Sequence, residues 1–122
     1  GTMGLDTFAS RSADDIVLTE EDLQAFAEAD INLCGGIYSG SGNDGSFRGK
    51  VYTSLILELT DFSLFEEWIP PERVHAMFQA LLTCLPEEKA PPSHENSDNE
   101  IFELVKFFKV CSERGLGLIN WW

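Results

Sequence analysis

The chain has 122 residues, of which 21 are acidic and 8 are basic, so its formal net charge is −13. This length supports one folded domain but not a second self-sufficient core. With 43% hydrophobic and 24% charged residues, the composition is that of a globular rather than a disordered protein. The acidic excess disfavours nucleic acids and anionic lipid surfaces as partners, and no apolar stretch reaches the roughly 20 residues of a membrane helix.

The beginning of the chain and its cysteines indicate where the protein resides. Gly1 and Thr2 precede Met3 and are expected to be a cloning remnant, which gives a predicted domain over 3–122. No basic segment leads into an apolar one, so we expect no signal peptide. The chain has three cysteines, whereas a small secreted protein shows an even disulfide framework. We therefore expect a cytoplasmic protein.

The N-terminal part predicts a strand followed by a capped helix. Residues 4–10 alternate loosely between apolar and polar side chains, which indicates an extended segment. Thr19, with the acid Asp22 three residues later, has the pattern of a capping box. Leu23, Phe26 and Ala27 fall on one helical face, so a short helix is predicted over 20–29.

The middle of the chain predicts a β-hairpin. Residues 40–46 contain no apolar side chain and are typical of a loop. Val51 to Thr60 alternates between two sides and is the strongest strand pattern in the chain. A short strand at 36–39 precedes the loop, so the sequence predicts a hairpin of 36–39 and 48–60 at the centre of the sheet.

Two helices are predicted in the second half. Pro70 and Pro71 begin the first, whose apolar side chains recur at intervals of three and four within 74–85. The proline-rich segment 86–96 is expected to be a mobile surface loop.

The second of these helices follows Ser97, which forms another capping pattern with Glu100. Its apolar stripe runs over 101–111, Gly115 ends it, and 116–122 is predicted to return as a strand. Because parallel βαβ repetition is missing, the predicted fold class is α+β: one small domain with a mainly antiparallel sheet packed by two or three helices.

The glycine loop is the first candidate binding site. Gly40, Gly42 and Gly45 have the spacing G-x-G-x-x-G, but in a dinucleotide fold this loop opens a helix, and here a strand is predicted next. A protein kinase holds such glycines between antiparallel strands, but its other motifs are missing. This stretch is therefore interpreted as a plain hairpin tip, and the Arg48 and Lys50 that follow it as ordinary strand-edge charge. The alternative is an anion site of Gly42, Gly45, Arg48 and Lys50.

A cysteine and a histidine form the candidate catalytic pair. Cys34 precedes two glycines, whose amides would surround a thiolate, and His75 is the strongest candidate for its base. The alternative for His75 is a boundary residue that packs its ring. The cysteines and histidines have no zinc-ligand spacing, so neither a metal nor a cofactor is predicted.

Four apolar residues form the candidate interface. Phe107 and Val110 lie off the main stripe of the last helix, and Trp121 and Trp122 close the sequence. A helix that is apolar on most sides is either buried from two sides or used at an interface. Docking within the chain, on a second copy or on another protein are the alternatives.

Three stretches of the chain resemble an uncharacterised family of small bacterial proteins. They are MGLDTFASRS at 3–12, LCGG at 33–36 running into SFRGKVY at 46–52, and GLGLINWW at 115–122. The resemblance would cover nearly the whole chain. It implies a bacterial, cytoplasmic protein and implies no activity, cofactor or partner.

The function predicted from the sequence is a non-enzymatic binding or regulatory module that acts through protein contacts with an unidentified protein or in a homodimer. The alternative is a small enzyme or an anion-binding protein with a cleft near Cys34, the 40–49 glycine loop and His75. Neither nucleic acid nor membrane is an expected partner.

Overall fold

The computed structural model describes residues 5–35, 42–84 and 95–122. In chain order, the elements are β1 (Asp6–Ser10), α1 (Glu20–Glu28), β2 (Ser46–Phe47), α2 (Gly49–Thr60), β3 (Trp68–Ile69), α3 (Pro71–Thr83), α4 (Glu95–Arg114) and β4 (Gly117–Trp121). Within these ranges the structure has four helices and one four-stranded antiparallel sheet. The predicted α+β class is confirmed.

The sheet has the order β2-β1-β4-β3, with every neighbouring pair antiparallel. The two central strands are β1 and β4, so the segments predicted as the first and last strands pair with each other. Each edge strand has two residues. Short edges leave little unpaired backbone for association with another sheet.

The strand register divides the sheet into a core face and an outer face. Directly opposed residues share a face, and one face carries members of the buried apolar core: Leu5, Ala9, Phe47, Ile69 and Leu118. Helix residues such as Ile56, Leu81 and Leu104 complete that core. The other face, here named the outer sheet face, carries Asp6, Phe8, Trp68, Ile119 and Trp121.

The predicted helices α1, α3 and α4 are present. Thr19 caps α1 in the expected capping box with Asp22. Val74, Met77 and Leu81 of the predicted α3 stripe and Leu104 and Phe108 of the α4 stripe are buried. Leu82, which the predicted α3 stripe includes, is exposed, and Leu85 lies outside the described residues. Gly115 follows α4 with φ +68°, a conformation that glycine adopts without strain.

The strand predicted over Val51–Thr60 is wrong, because these residues form most of helix α2. Tyr52, Ile56 and Thr60 are buried at intervals of four, as expected for one face of a helix. The same three residues also share one side of a strand, so the pattern fits both structures over this short length. The partner strand at 36–39 lies outside the described residues, and the central hairpin is replaced by a turn, β2 and α2.

Three further features differ from the sequence predictions. Helix α4 begins at Glu95, so Ser97 lies inside it, whereas 86–94 of the predicted loop lies outside the described residues. On α1, Leu23 is largely exposed and Asp22 is buried in its place. The short strand β3 was not predicted, because two residues cannot display a period.

In the described part of the chain, no helix combines the length and apolar character that membrane crossing requires.

Candidate functional site

The glycine loop folds onto itself. The Gly42 amide donates to the Ser46 carbonyl at 2.8 Å, and the Gly45 amide donates to the Gly42 carbonyl at 3.2 Å. Both glycines have positive φ, and a Cβ at Gly42 would come within 2.4 Å of the Ile31 side chain. The two amides are therefore already hydrogen-bonded within the turn, and the glycines serve a tight turn and close packing.

The two basic residues after this loop belong to the start of α2. Arg48 is the N-cap residue, its amide donates to the Cys34 carbonyl at 2.8 Å, and its guanidinium lies 3.7 Å from the Asp6 carboxylate. Lys50 is exposed, and its amide donates to the Leu5 carbonyl at 2.9 Å. Arg48 thus faces an acid of its own chain, which reduces its attraction for an external anion.

Cys34 and His75 have different surroundings. Cys34 is exposed, and its amide donates to the Tyr52 hydroxyl at 2.6 Å. The His75 Nδ1 contacts the Ser112 hydroxyl across α3 and α4. No hydrogen bond between these two candidates is present in the described structure, so the nucleophile and base are not assembled as a pair.

The remaining thiols provide no alternative reactive centre. Cys111 is fully buried, and this burial raises the pKa of its thiol, which opposes thiolate formation at neutral pH. Cys84 is half-buried at the end of α3. In the described part of the chain, no three histidine, cysteine or acidic side chains are grouped so as to hold a metal ion.

The candidate interface residues fall into two groups. Phe107 is fully buried, with its ring centroid 5.0 Å from that of Phe26 and 4.8 Å from that of Phe47. Val110 is also buried. Both therefore pack inside the chain, because α1 and β2 cover the side of α4 that appeared unpartnered in the sequence.

The tryptophans of the candidate interface lie at the end of β4 and remain exposed. Trp121 on the outer sheet face is 56% exposed and contacts Phe8 in a tilted arrangement, with ring centroids 4.9 Å apart. Trp122 is 46% exposed and meets Phe65, which is 50% exposed, in an edge-to-face contact at 5.5 Å. These are two separate ring pairs whose tryptophans are neighbours in the chain, and we name the four residues together the aromatic patch: Phe8, Phe65, Trp121 and Trp122.

A concavity of about 500 Å³ adjoins the aromatic patch. Its lining residues are Ala13, Glu67, Ile119, Asn120, Trp121 and Trp122. This volume is in the range of sites that hold a small ligand or a large side chain. Sequence reasoning found the two tryptophans but not Glu67 or Ala13, which belong to connecting segments without a distinctive pattern.

The strand at the base of the concavity is firmly held. The buried Asn120 accepts a hydrogen bond from the Thr7 hydroxyl at 2.7 Å, and its side-chain amide donates to the Glu66 carbonyl at 3.0 Å. Its backbone amide donates to the Glu67 carbonyl at 3.2 Å. These bonds attach the segment that carries Glu67 to β4 and thereby fix one wall beside the tryptophans.

The opposite wall is the segment that follows β1. The buried hydroxyl of Ser10 donates to the Asp15 carbonyl at 2.7 Å and accepts the Val17 amide at 2.9 Å. Arg11 forms a two-pronged contact with Asp22, with both N–O distances 2.7 Å. Ala13 thus lies in a turn whose two ends are joined by the hydrogen bonds of Ser10 to Asp15 and Val17.

Asp22 has a larger structural role than the sequence predicts, because it does more than cap α1. Its carboxylate has no exposed surface and also contacts the Arg114 Nε at 2.5 Å and the Thr19 amide at 3.0 Å. The hydrogen bonds from Arg11 above all hold its pKa well below the ordinary value, against the effect of burial. Basic residues are scarce in this chain, so Arg11 and Arg114 were the sequence feature that could have indicated a buried acidic partner.

The border of the concavity is acidic. Glu67 is exposed, and the exposed Asp14 and Asp15 follow Ala13 directly. The basic Arg11 beside this wall points to Asp22. Aromatic rings together with nearby carboxylates favour a positively charged, partly apolar ligand.

Comparison of the chain with protein-family models, with curated proteins and with solved structures finds no match in any of the three. The resemblance in the three sequence segments therefore stays a prediction, and the function has to be argued from the residues themselves.

Proposed function

We propose that the protein is a non-enzymatic binding module that docks a partner protein on its aromatic patch. The observation that carries this proposal is the exposure of Trp121 and Trp122 at the end of β4, together with the exposed Phe65 that contacts Trp122. Large aromatic side chains are enriched at the centres of protein interfaces and contribute much of their binding energy.

The build of the sheet supports the same proposal. The helices pack on the core face, while on the outer sheet face the buried Phe8 contacts Trp121, which is itself exposed. A partner seated there would cover the remaining aromatic surface and lose little entropy on binding, because hydrogen bonds already hold both walls of the adjacent concavity.

Charge and cysteine state support the choice of partner and compartment. The net charge of −13 opposes binding to nucleic acid and to anionic membrane surfaces. All three cysteines are free, which accords with a reducing, cytoplasmic location. The separate surroundings of Cys34 and His75 favour binding over catalysis by these residues.

The test compares two variants that each remove exposed aromatic surface. Phe65→Ser together with Trp122→Ser removes half of the aromatic patch, whereas Phe102→Ser removes an equally exposed ring from α4, since Phe65 and Phe102 are both 50% exposed. Each tagged protein is used to capture partners from an extract of its native cell. We expect one protein to bind wild type and the Phe102 variant but not the double variant. Equal capture by all three would contradict the proposal.

A further inference from the structure

We propose that the concavity between Trp121, Trp122 and Glu67 receives an arginine side chain of the partner protein. This inference rests on the proposed function and adds the chemistry of the partner segment to it. A guanidinium is planar, stacks on aromatic faces and pairs with a carboxylate through two hydrogen bonds. The residues that line the concavity include two indoles, Trp121 and Trp122, and one carboxylate, Glu67.

The charge of the protein selects the sign of the ligand. The chain carries 21 acidic and 8 basic residues, so its field attracts cationic segments from a distance. Near the concavity, Glu66 is paired with Arg73 at 2.5 Å, while Glu67 borders the open volume. A cation seated there would lie beside the two indoles and the Glu67 carboxylate together.

The shape of the site favours a side chain over a flat docking contact. The volume of about 500 Å³ is ample for a guanidinium and its aliphatic stem. Ile119 lines the same space and provides an apolar contact for that stem. Arginine combines an apolar stem with a charged head, so it matches a lining that contains Ile119, two indoles and the carboxylate of Glu67.

A second copy of the chain is a poorer occupant. Two molecules would each bring a net charge of −13, and their repulsion opposes a symmetric contact in which the same patches face each other. A basic segment of another protein experiences the opposite effect. The aromatic patch is therefore assigned to a partner with an arginine flanked by apolar residues.

The experiment uses two short peptides of the same length that differ at one side chain, which is charged in one and neutral in the other. One has a central arginine between leucines, and the other has citrulline, which keeps the shape but is neutral. Binding is followed by the fluorescence of Trp121 and Trp122, and a Trp68→Phe background removes the third indole of the chain. We expect the arginine peptide to bind at least about tenfold more tightly, which corresponds to about 1.4 kcal/mol.

Two variants with the same change of net charge locate the effect. Glu67→Gln alters the lining of the concavity, and Glu58→Gln alters an exposed acid on α2. We expect the first to weaken arginine-peptide binding about fivefold or more, and the second to leave it within about twofold.

Three outcomes of the peptide measurements would overturn the inference: equal binding of the two peptides, equal effects of Glu67→Gln and Glu58→Gln, or no binding of the arginine peptide. The proposed function is judged separately by partner capture with the Phe65 and Trp122 double variant. Loss of capture without a preference for arginine would retain the docking surface and reject the cation. A mass that doubles in light scattering, and that falls when Trp122 is replaced by serine, would assign the patch to a second copy and reject the inference.

Discussion

Asp22 is the residue whose environment departs most from its sequence context. It lies on the first turn of a surface helix, yet its carboxylate is fully buried between Arg11 and Arg114. It also caps the helix through Thr19. A single side chain thus connects the segment after β1, the start of α1 and the end of α4.

Replacement of Asp22 by asparagine should destabilise the protein by about 3 kcal/mol, because Arg11 and Arg114 both lose the buried carboxylate with which they pair. The measurement is urea unfolding at neutral pH. Asp14→Asn, at an exposed position, removes the same charge and should change the free energy of unfolding by less than about 0.5 kcal/mol. Equal losses in the two variants would contradict a structural role for the Asp22 network.

The same network predicts a pH dependence with a definite sign. The pKa of Asp22 is lowered in the folded state from its ordinary value of 3.8, so at acidic pH the unfolded chain takes up a proton there before the folded chain does. The stabilisation is complete above about pH 5 and is lost progressively as the pH falls below about 4. The stability difference between wild type and Asp22→Asn should therefore shrink between about pH 5 and about pH 2. A constant difference would show that Asp22 acts through shape alone.

Gly117 is required by packing rather than by its backbone angle. A Cβ there would lie 2.4 Å from the Trp68 indole and 2.6 Å from the Ile69 carbonyl oxygen. Gly117→Ala should cost about 1–3 kcal/mol and displace the indole, with a shift in tryptophan emission. At Gly115 a Cβ meets open space but φ is +68°, so Gly115→Ala should cost about 1 kcal/mol without that shift. Unchanged emission in the Gly117 variant would contradict the close packing.

At the scale of elements, α3 is anchored by one apolar stripe. Leu81 is fully buried, whereas its neighbour Leu82 is 43% exposed. Leu81→Ala should cost about 2–5 kcal/mol, and Leu82→Ala less than about 1 kcal/mol. Both substitutions change the helix propensity by the same amount, so the difference between their costs reports burial. Denaturant unfolding of the two variants is the measurement, and similar costs would mean that the helix face is misassigned.

Helices α1 and α3 were predictable because their signals are local. The capping box of Thr19 and Asp22 and the proline start of α3 specify helix ends within a few residues. Helix α2 was not predictable in this way, since Tyr52, Ile56 and Thr60 fit either period and its β-branched residues favour a strand. Its buried face is selected by contacts with distant segments, such as the bond from the Cys34 amide to the Tyr52 hydroxyl.

The candidate site shows the same division between local and distant information. Trp121 and Trp122 stood out in the sequence by type and position, and the structure leaves them exposed. Phe107 looked similar in the sequence, but it is enclosed by Phe26 and Phe47, which lie far from it in the chain. The approach of Ala13 and Glu67 to β4 depends on sheet order and loop hydrogen bonds, which the sequence does not display.

At the scale of the whole molecule, charge opposes the compact state. A net charge of −13 on 122 residues produces repulsion that folding intensifies. The melting temperature should therefore rise when sodium chloride increases from about 0.02 M to about 0.5 M, since the screening length falls to a few ångströms. Calorimetry at neutral pH checks this, and a falling melting temperature would show that the ion pairs, such as Arg11 with Asp22, outweigh the repulsion.

The central claim is that the aromatic patch is the docking surface. It is tested most directly by a photo-activated benzophenone side chain in place of Phe65 or, as a matched control, in place of Phe102. Both rings are 50% exposed, but only Phe65 contacts Trp122. Illumination in the native cell, followed by mass spectrometry, should yield a covalent adduct with one basic protein from position 65 and none from position 102. Adducts from position 102 together with none from position 65 would contradict the account.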